Sequence, residues 1–168
     1  MSTIDNVTTL NASPLRVWTV LTDFAGHSQW KPFIQLSGDA VCDGDANYTF
    51  RIGGLDKPVT AKADIIRAEK PLAFAWTAGV AGLLLFEEAY RLESDPIGTR
   101  LRHSLRFSGV FGRPLWALMR RRLQASLVQS DMALERQLRR LSAVPPLKNQ
   151  TASAPPGARR QRNQRRQR

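Results

Sequence analysis

Cysteine occurs once in the 168 residues, at Cys42, and histidine twice, at His27 and His103. A lone thiol cannot close an internal disulfide, so a reducing, cytoplasmic setting is the expectation. Those three residues form no spaced ligand set, and no metal is expected. Long apolar runs are missing too. The longest, Gly79–Phe86, is far short of the roughly 20 residues a bilayer span needs. The opening MSTIDNVTTL has neither a basic start nor an apolar stretch, so no secretory signal is expected. No glycine-rich phosphate loop follows a strand, because Gly53-Gly54 and Gly79–Gly82 lack the fingerprint, and there is no G-x-S-x-G elbow. Cofactor chemistry is therefore not indicated, and no internal repeat is visible.

Acidic residues run out toward the end of the chain. Residues 1–111 carry 11 basic and 12 acidic side chains, residues 112–141 carry 7 and 2, and residues 142–168 carry 7 and none. The net charge of +11 thus belongs to the last third. With 42% hydrophobic residues the body has the composition of one ordinary folded domain. That domain is expected over residues 1–141, followed by a disordered Arg/Gln-rich tail over 142–168. Pro145-Pro146 and Pro155-Pro156-Gly157 interrupt any helix in the tail, and its apolar residues are too few for a core.

What is present is dominated by one stretch. From Phe111 to Leu141 the apolar residues Leu115, Met119, Leu123, Leu127, Leu134, Leu138 and Leu141, with Leu118 beside them, fall in steps of three, four and seven. That is one face of a long helix. Arg113, Arg120, Arg121, Arg122, Arg136, Arg139 and Arg140 occupy the other. Upstream, Ile4–Leu10 reads as a strand. Ser13 caps, and Pro14 begins, a helix to about Phe24; a short turn over His27–Lys31 stops at Pro32. Strand patterns then follow over 33–36, 47–52, 59–68, 72–77, 84–92 and 100–107, joined by turns such as Asp43-Gly44-Asp45 and Asp95-Pro96-Ile97-Gly98. Short connections predict an antiparallel meander, whose dry face needs the long helix.

Three patches carry a family likeness. One is Ala12-Ser13-Pro14, Val17-Trp18, Leu21-Thr22-Asp23-Phe24 and Trp30-Lys31-Pro32-Phe33. The second is Pro71-Leu72 with Phe74 and Trp76, and the third runs from Gly98-Thr99-Arg100-Leu101 to Arg106-Phe107-Ser108-Gly109. With the element order, they resemble the START-like, or SRPBCC, superfamily and within it the polyketide cyclase/dehydrase-type proteins, across residues 3–141. The resemblance implies an α+β helix-grip (Bet v 1-like) fold: a curved seven-stranded antiparallel sheet wrapped around a long C-terminal helix, with two short helices after the first strand. It also implies a cavity between sheet and helix. Family members include carriers and cyclases, so the fold alone does not choose between them.

Glu88 and His103 are the sharpest candidate pair. A hairpin closed symmetrically about Asp95–Gly98 sets Tyr90 opposite His103 and Glu88 opposite Leu105, leaving Glu88 diagonal to His103 on the inner face. A carboxylate and an imidazole among apolar neighbours can orient a ligand or move a proton. They can equally settle each other's buried polarity, with Tyr90 helping. Trp18, Leu21, Trp30, Phe50, Phe74, Trp76, Phe86, Leu105, Met119 and Leu123 are candidates to line a cavity, or to be plain core. The expected function is binding of a small hydrophobic or amphipathic ligand, lipid- or polyketide-like. An alternative is a cyclase or dehydratase using His103 or Glu88 as acid or base. A further alternative rests on the tail: Arg159, Arg160, Arg162, Arg165, Arg166 and Arg168 suit salt-sensitive contact with RNA or an anionic membrane surface, or merely aid solubility.

Overall fold

A computed structural model describes residues 2–50 and 57–143. The tail arginines therefore lie outside the described residues. The elements are β1 (Ser2–Leu10), α1 (Pro14–Thr22), a 3-10 turn (Phe24–Gly26), α2 (His27–Trp30), β2 (Ile34–Gly38), β3 (Ala46–Phe50), β4 (Val59–Glu69), β5 (Ala73–Val80), β6 (Leu84–Asp95), β7 (Gly98–Ser108) and α3 (Gly112–Ala143). All seven strands join one antiparallel sheet in the order β1-β7-β6-β5-β4-β3-β2. A bulge in β4 between Ile65 and Arg67 bends the sheet. The helix-grip architecture is as expected.

Local chemistry explains the elements that shape the inner face. Ser13, at φ −65° and ψ 153°, accepts a hydrogen bond from the Arg16 amide, and Pro14 starts α1. Pro32 keeps Lys31 extended, at φ −82° and ψ 112°, so α2 ends after one turn. The β6–β7 hairpin has the expected register, with Leu92 opposite Leu101, Tyr90 opposite His103 and Glu88 opposite Leu105. Its connection is tighter than four residues, because Asp95 already pairs with Gly98.

The core has two parts. The larger one joins α1, the sheet and the second half of α3 through Trp18, Leu21, Phe24, Phe74, Trp76, Leu92, Leu101, Leu134 and Leu138. The smaller one, Leu105, Phe107 and Leu127 with Leu84, Phe86, Leu115, Trp116 and Leu123 partly covered, lies under the first half of α3. This unevenness corrects the expectation of one continuous apolar stripe. Leu127, Leu134 and Leu138 are buried, Leu115, Met119 and Leu123 only half so, and Leu118 is 84% exposed. No helix among the described residues is long and apolar enough to cross a membrane.

Candidate functional site

Between the two core clusters lies a buried polar group drawn from β1, β5, β6, β7, α3 and the residue that follows α2. Glu88, on β6, accepts four hydrogen bonds. Lys31 Nζ and Trp76 Nε1 donate to its Oε2 at 2.9 and 2.7 Å, while Tyr90 Oη and His103 Nε2 donate to its Oε1 at 2.8 and 3.1 Å. The other ring nitrogen of His103, Nδ1, meets Asp131 Oδ1 on α3 at 2.7 Å, and Asp131 Oδ2 accepts from Asn6 Nδ2 on β1 at 2.6 Å. Tyr90 stacks on the His103 ring with centroids 4.2 Å apart. Lys31, Glu88, His103 and Asp131 are all buried.

Two carboxylates facing both ring nitrogens require an N–H at each, which is the imidazolium form. Burial pulls the His103 pKa down, but the hydrogen bonds and charges of Asp131 and Glu88 outweigh it and raise the value above the ordinary one. Burial likewise pushes Glu88 up, and the Lys31 charge with the His103 contacts reverses this, holding it well below the usual carboxylate range. Tyr90 is driven well above its ordinary value by burial and by the Glu88 charge, so it remains a donor. Two cations thus balance two anions inside the protein. Such a balanced set costs about as much in desolvation as it returns in attraction, but losing one member is expensive.

His27 stands apart from this set. Its Nε2 donates to the Leu21 carbonyl at 2.9 Å and its Nδ1 accepts from the Leu36 amide at 3.2 Å. Burial, reinforced by the nearby Lys31 charge, lowers its pKa to about 4, so the ring is neutral.

A hollow of about 50 Å³ opens beside the Glu88 group, lined by Lys31, Phe33, Ile34, Phe86, Glu88, His103, Leu105, Leu123, Ser126, Leu127 and Ser130. That is room for a few waters, well below the roughly 300–1,000 Å³ of a site that encloses a drug-sized ligand. Among the described residues, large side chains take up the space between sheet and helix around this hollow. Phe74 and Trp76 are fully buried, and Phe86 wedges between Trp76 and Phe107 with ring centroids 5.3 Å from each. A wider depression of about 400 Å³ lies on the outer face of the sheet, among Arg67, Arg91, Arg102 and Arg106.

Of the candidate residues, Phe86, Glu88, His103, Leu105 and Leu123 line the hollow, and Trp76 and Tyr90 support it through Glu88. Trp18, Leu21 and Phe74 belong instead to the larger core. Trp30 lies edge-on to His27, Phe50 stacks on Tyr48, and Met119 is half-buried; none of the three touches the hollow. Sequence reasoning missed Lys31, Asp131 and Asn6. Asp131 had a readable signal, an acid within the apolar stripe between Leu127 and Leu134. Lys31 had none, since its burial depends on how Pro32 turns the chain.

A sheet gripping a C-terminal helix, with a buried polar group between them, defines a helix-grip protein. The chain belongs to the family described as polyketide cyclase / dehydrase and lipid transport, whose model matches residues 1–144. No curated protein matches it in sequence. Among solved structures it is similar to a Thermus thermophilus protein (17% identity, 84% of this chain and 100% of that one, TM-score 0.67). A Mesorhizobium loti protein (17%, 83% and 98%, 0.65) and a Chromobacterium violaceum protein (15%, 82% and 98%, 0.66) are similar too. At these identities the likeness concerns the fold.

Proposed function

We propose that the protein binds a small hydrophobic or amphipathic molecule, lipid- or polyketide-like, between the sheet and the first half of α3. The observation that carries this is the placement of a balanced charged group beside a largely apolar hollow, next to the half-buried part of the helix. Lys31 Nζ has three N–H donors, and among the described residues Glu88 is its one hydrogen-bond partner. The remaining donors suit a carbonyl or hydroxyl oxygen at the head of a ligand. Apolar affinity, at roughly 25 cal/mol per Å² of buried surface, would come from Phe86, Leu105, Leu123 and Leu127 once the helix lifts. Binding is preferred over acid–base turnover because Glu88 already accepts as many hydrogen bonds as a carboxylate has lone pairs, leaving no position for an incoming proton.

The test is displacement of anilinonaphthalene sulfonate by a long-chain fatty acid, followed by fluorescence. Wild type should bind the dye, and Leu123→Trp, which fills the hollow, should weaken binding about tenfold, the effect of a lost contact worth some 1.4 kcal/mol. Dye binding that is absent, or unchanged in a folded Leu123→Trp protein, overturns the proposal. Native mass spectrometry of freshly purified protein looks for a co-purified small molecule directly.

A further inference from the structure

One end of the molecule is apolar and flanked on one side by positive charge. At the tip of the sheet the β5–β6 turn meets the β7–α3 turn. The Val110 amide donates to the Gly82 carbonyl at 3.0 Å, and the Phe111 amide to the Leu83 carbonyl at 2.9 Å. Gly109 makes this approach possible. Its φ is +90°, and a Cβ there would lie 2.5 Å from the Leu83 carbonyl oxygen. The union of the two turns presents Val80, Leu83, Val110 and Phe111 to solvent, each between 52% and 72% exposed. Four neighbouring apolar side chains held outward by backbone hydrogen bonds are unlike the scattered single hydrophobics of an ordinary surface.

The two chain segments that meet at this tip carry charge of one sign. From Ala78 to Phe86 and from Phe107 to Arg122 the chain contains no acidic residue, and its only charged side chains are Arg113, Arg120, Arg121 and Arg122. All four are exposed on the first half of α3. An apolar wedge beside a cluster of arginines matches a bilayer carrying anionic headgroups: the wedge enters the acyl boundary and the guanidinium groups stay among the phosphates.

We propose that this tip is a docking surface for anionic lipid bilayers. Phe86, which lines the hollow, pairs with Phe107 one residue before the end of β7, close to this tip. The docking surface stands on the exposed turns and the arginines alone, whatever occupies the hollow.

The test uses the full chain, so the basic tail is present in every sample. Flotation is measured with vesicles of phosphatidylcholine alone and of equal parts phosphatidylcholine and phosphatidylglycerol. Binding to the anionic vesicles alone is expected. Leu83→Asp with Phe111→Asp should weaken it about tenfold or more, as removal of the inserted surface requires. Replacing Arg120, Arg121 and Arg122 by glutamine should weaken it about a hundredfold at low salt. A fluorescent label on Val110→Cys, in a chain carrying Cys42→Ser, should brighten as it leaves water. Unaltered binding by the turn variant would assign all attraction to the tail and overturn the proposal. So would equal binding to both vesicle types, or a turn-dependent dimer seen in sedimentation without vesicle binding. Melting temperatures near that of wild type show that the variants are folded.

Discussion

Glu88 shows how one side chain can hold several elements in place. Lys31 reaches it from the end of α2, Trp76 from β5 and His103 from β7. Glu88→Gln preserves the shape and removes the charge, leaving Lys31 and the imidazolium beside a single buried anion. The expected loss is about 3–5 kcal/mol, measured by urea unfolding. Its neighbour Glu87 points to the outer face and pairs with the half-exposed Arg106, so Glu87→Gln should cost about 1 kcal/mol or less. Equal costs for the two would show that the inner network does not carry the stability assigned to it. The pairing of Glu88 with His103 could be read from the sequence, because two-residue alternation and a closed hairpin fix which side chains share a face. The contribution of Lys31 could not: a residue at a one-turn helix end has no periodicity, and its direction is set by contacts distant in sequence.

At the scale of the element, α3 is one helix with two environments. The spacing of its leucines is the same along its length, so sequence periodicity forecasts the helix and its inner face but not where cover is lost. Cover depends on how far the curved sheet and α1 extend beneath it. They cover Leu127, Leu134 and Leu138 but leave Leu115, Met119 and Leu123 half-buried. Leu118, nine residues before Leu127 and so on the opposite face of the helix, is exposed. Leu127→Ala should therefore cost about 2–5 kcal/mol, while Leu118→Ala should change stability by about 0.5 kcal/mol or less. Amide hydrogen exchange adds an independent reading. Amides over residues 115–123 should open faster than those over residues 130–138, since sub-global opening follows the density of buried contacts. Uniform protection along the helix would contradict the division, and with it the idea that the first half can lift to admit a ligand. The strand order was legible for a related reason. Short turns force antiparallel neighbours, and each inward-facing set of apolar residues allows only one register.

For the whole molecule, the two histidines set opposite limbs of the pH dependence of stability. His27 has a folded pKa of about 4 against an ordinary 6.5, so between these values the unfolded chain binds a proton that the folded chain refuses. Stability from this site is complete above about pH 6.5 and falls as the pH drops toward 4, by about 3 kcal/mol in all. Glu88, depressed in the fold, adds a further loss once the pH falls below its ordinary unfolded value. His103 is shifted the other way. There the folded chain keeps a proton that the unfolded chain releases, so its contribution is full below about pH 6.5 and disappears as the pH rises through the raised folded value. Urea midpoints taken from pH 4 to pH 9 should pass through a maximum near the crossing of these limbs. The His103→Asn protein, which has no titrating group between Glu88 and Asp131, should lose the alkaline decline and keep the acid one. If His103→Asn still declines above neutrality as wild type does, the imidazolium between the two carboxylates is not what the alkaline limb reports.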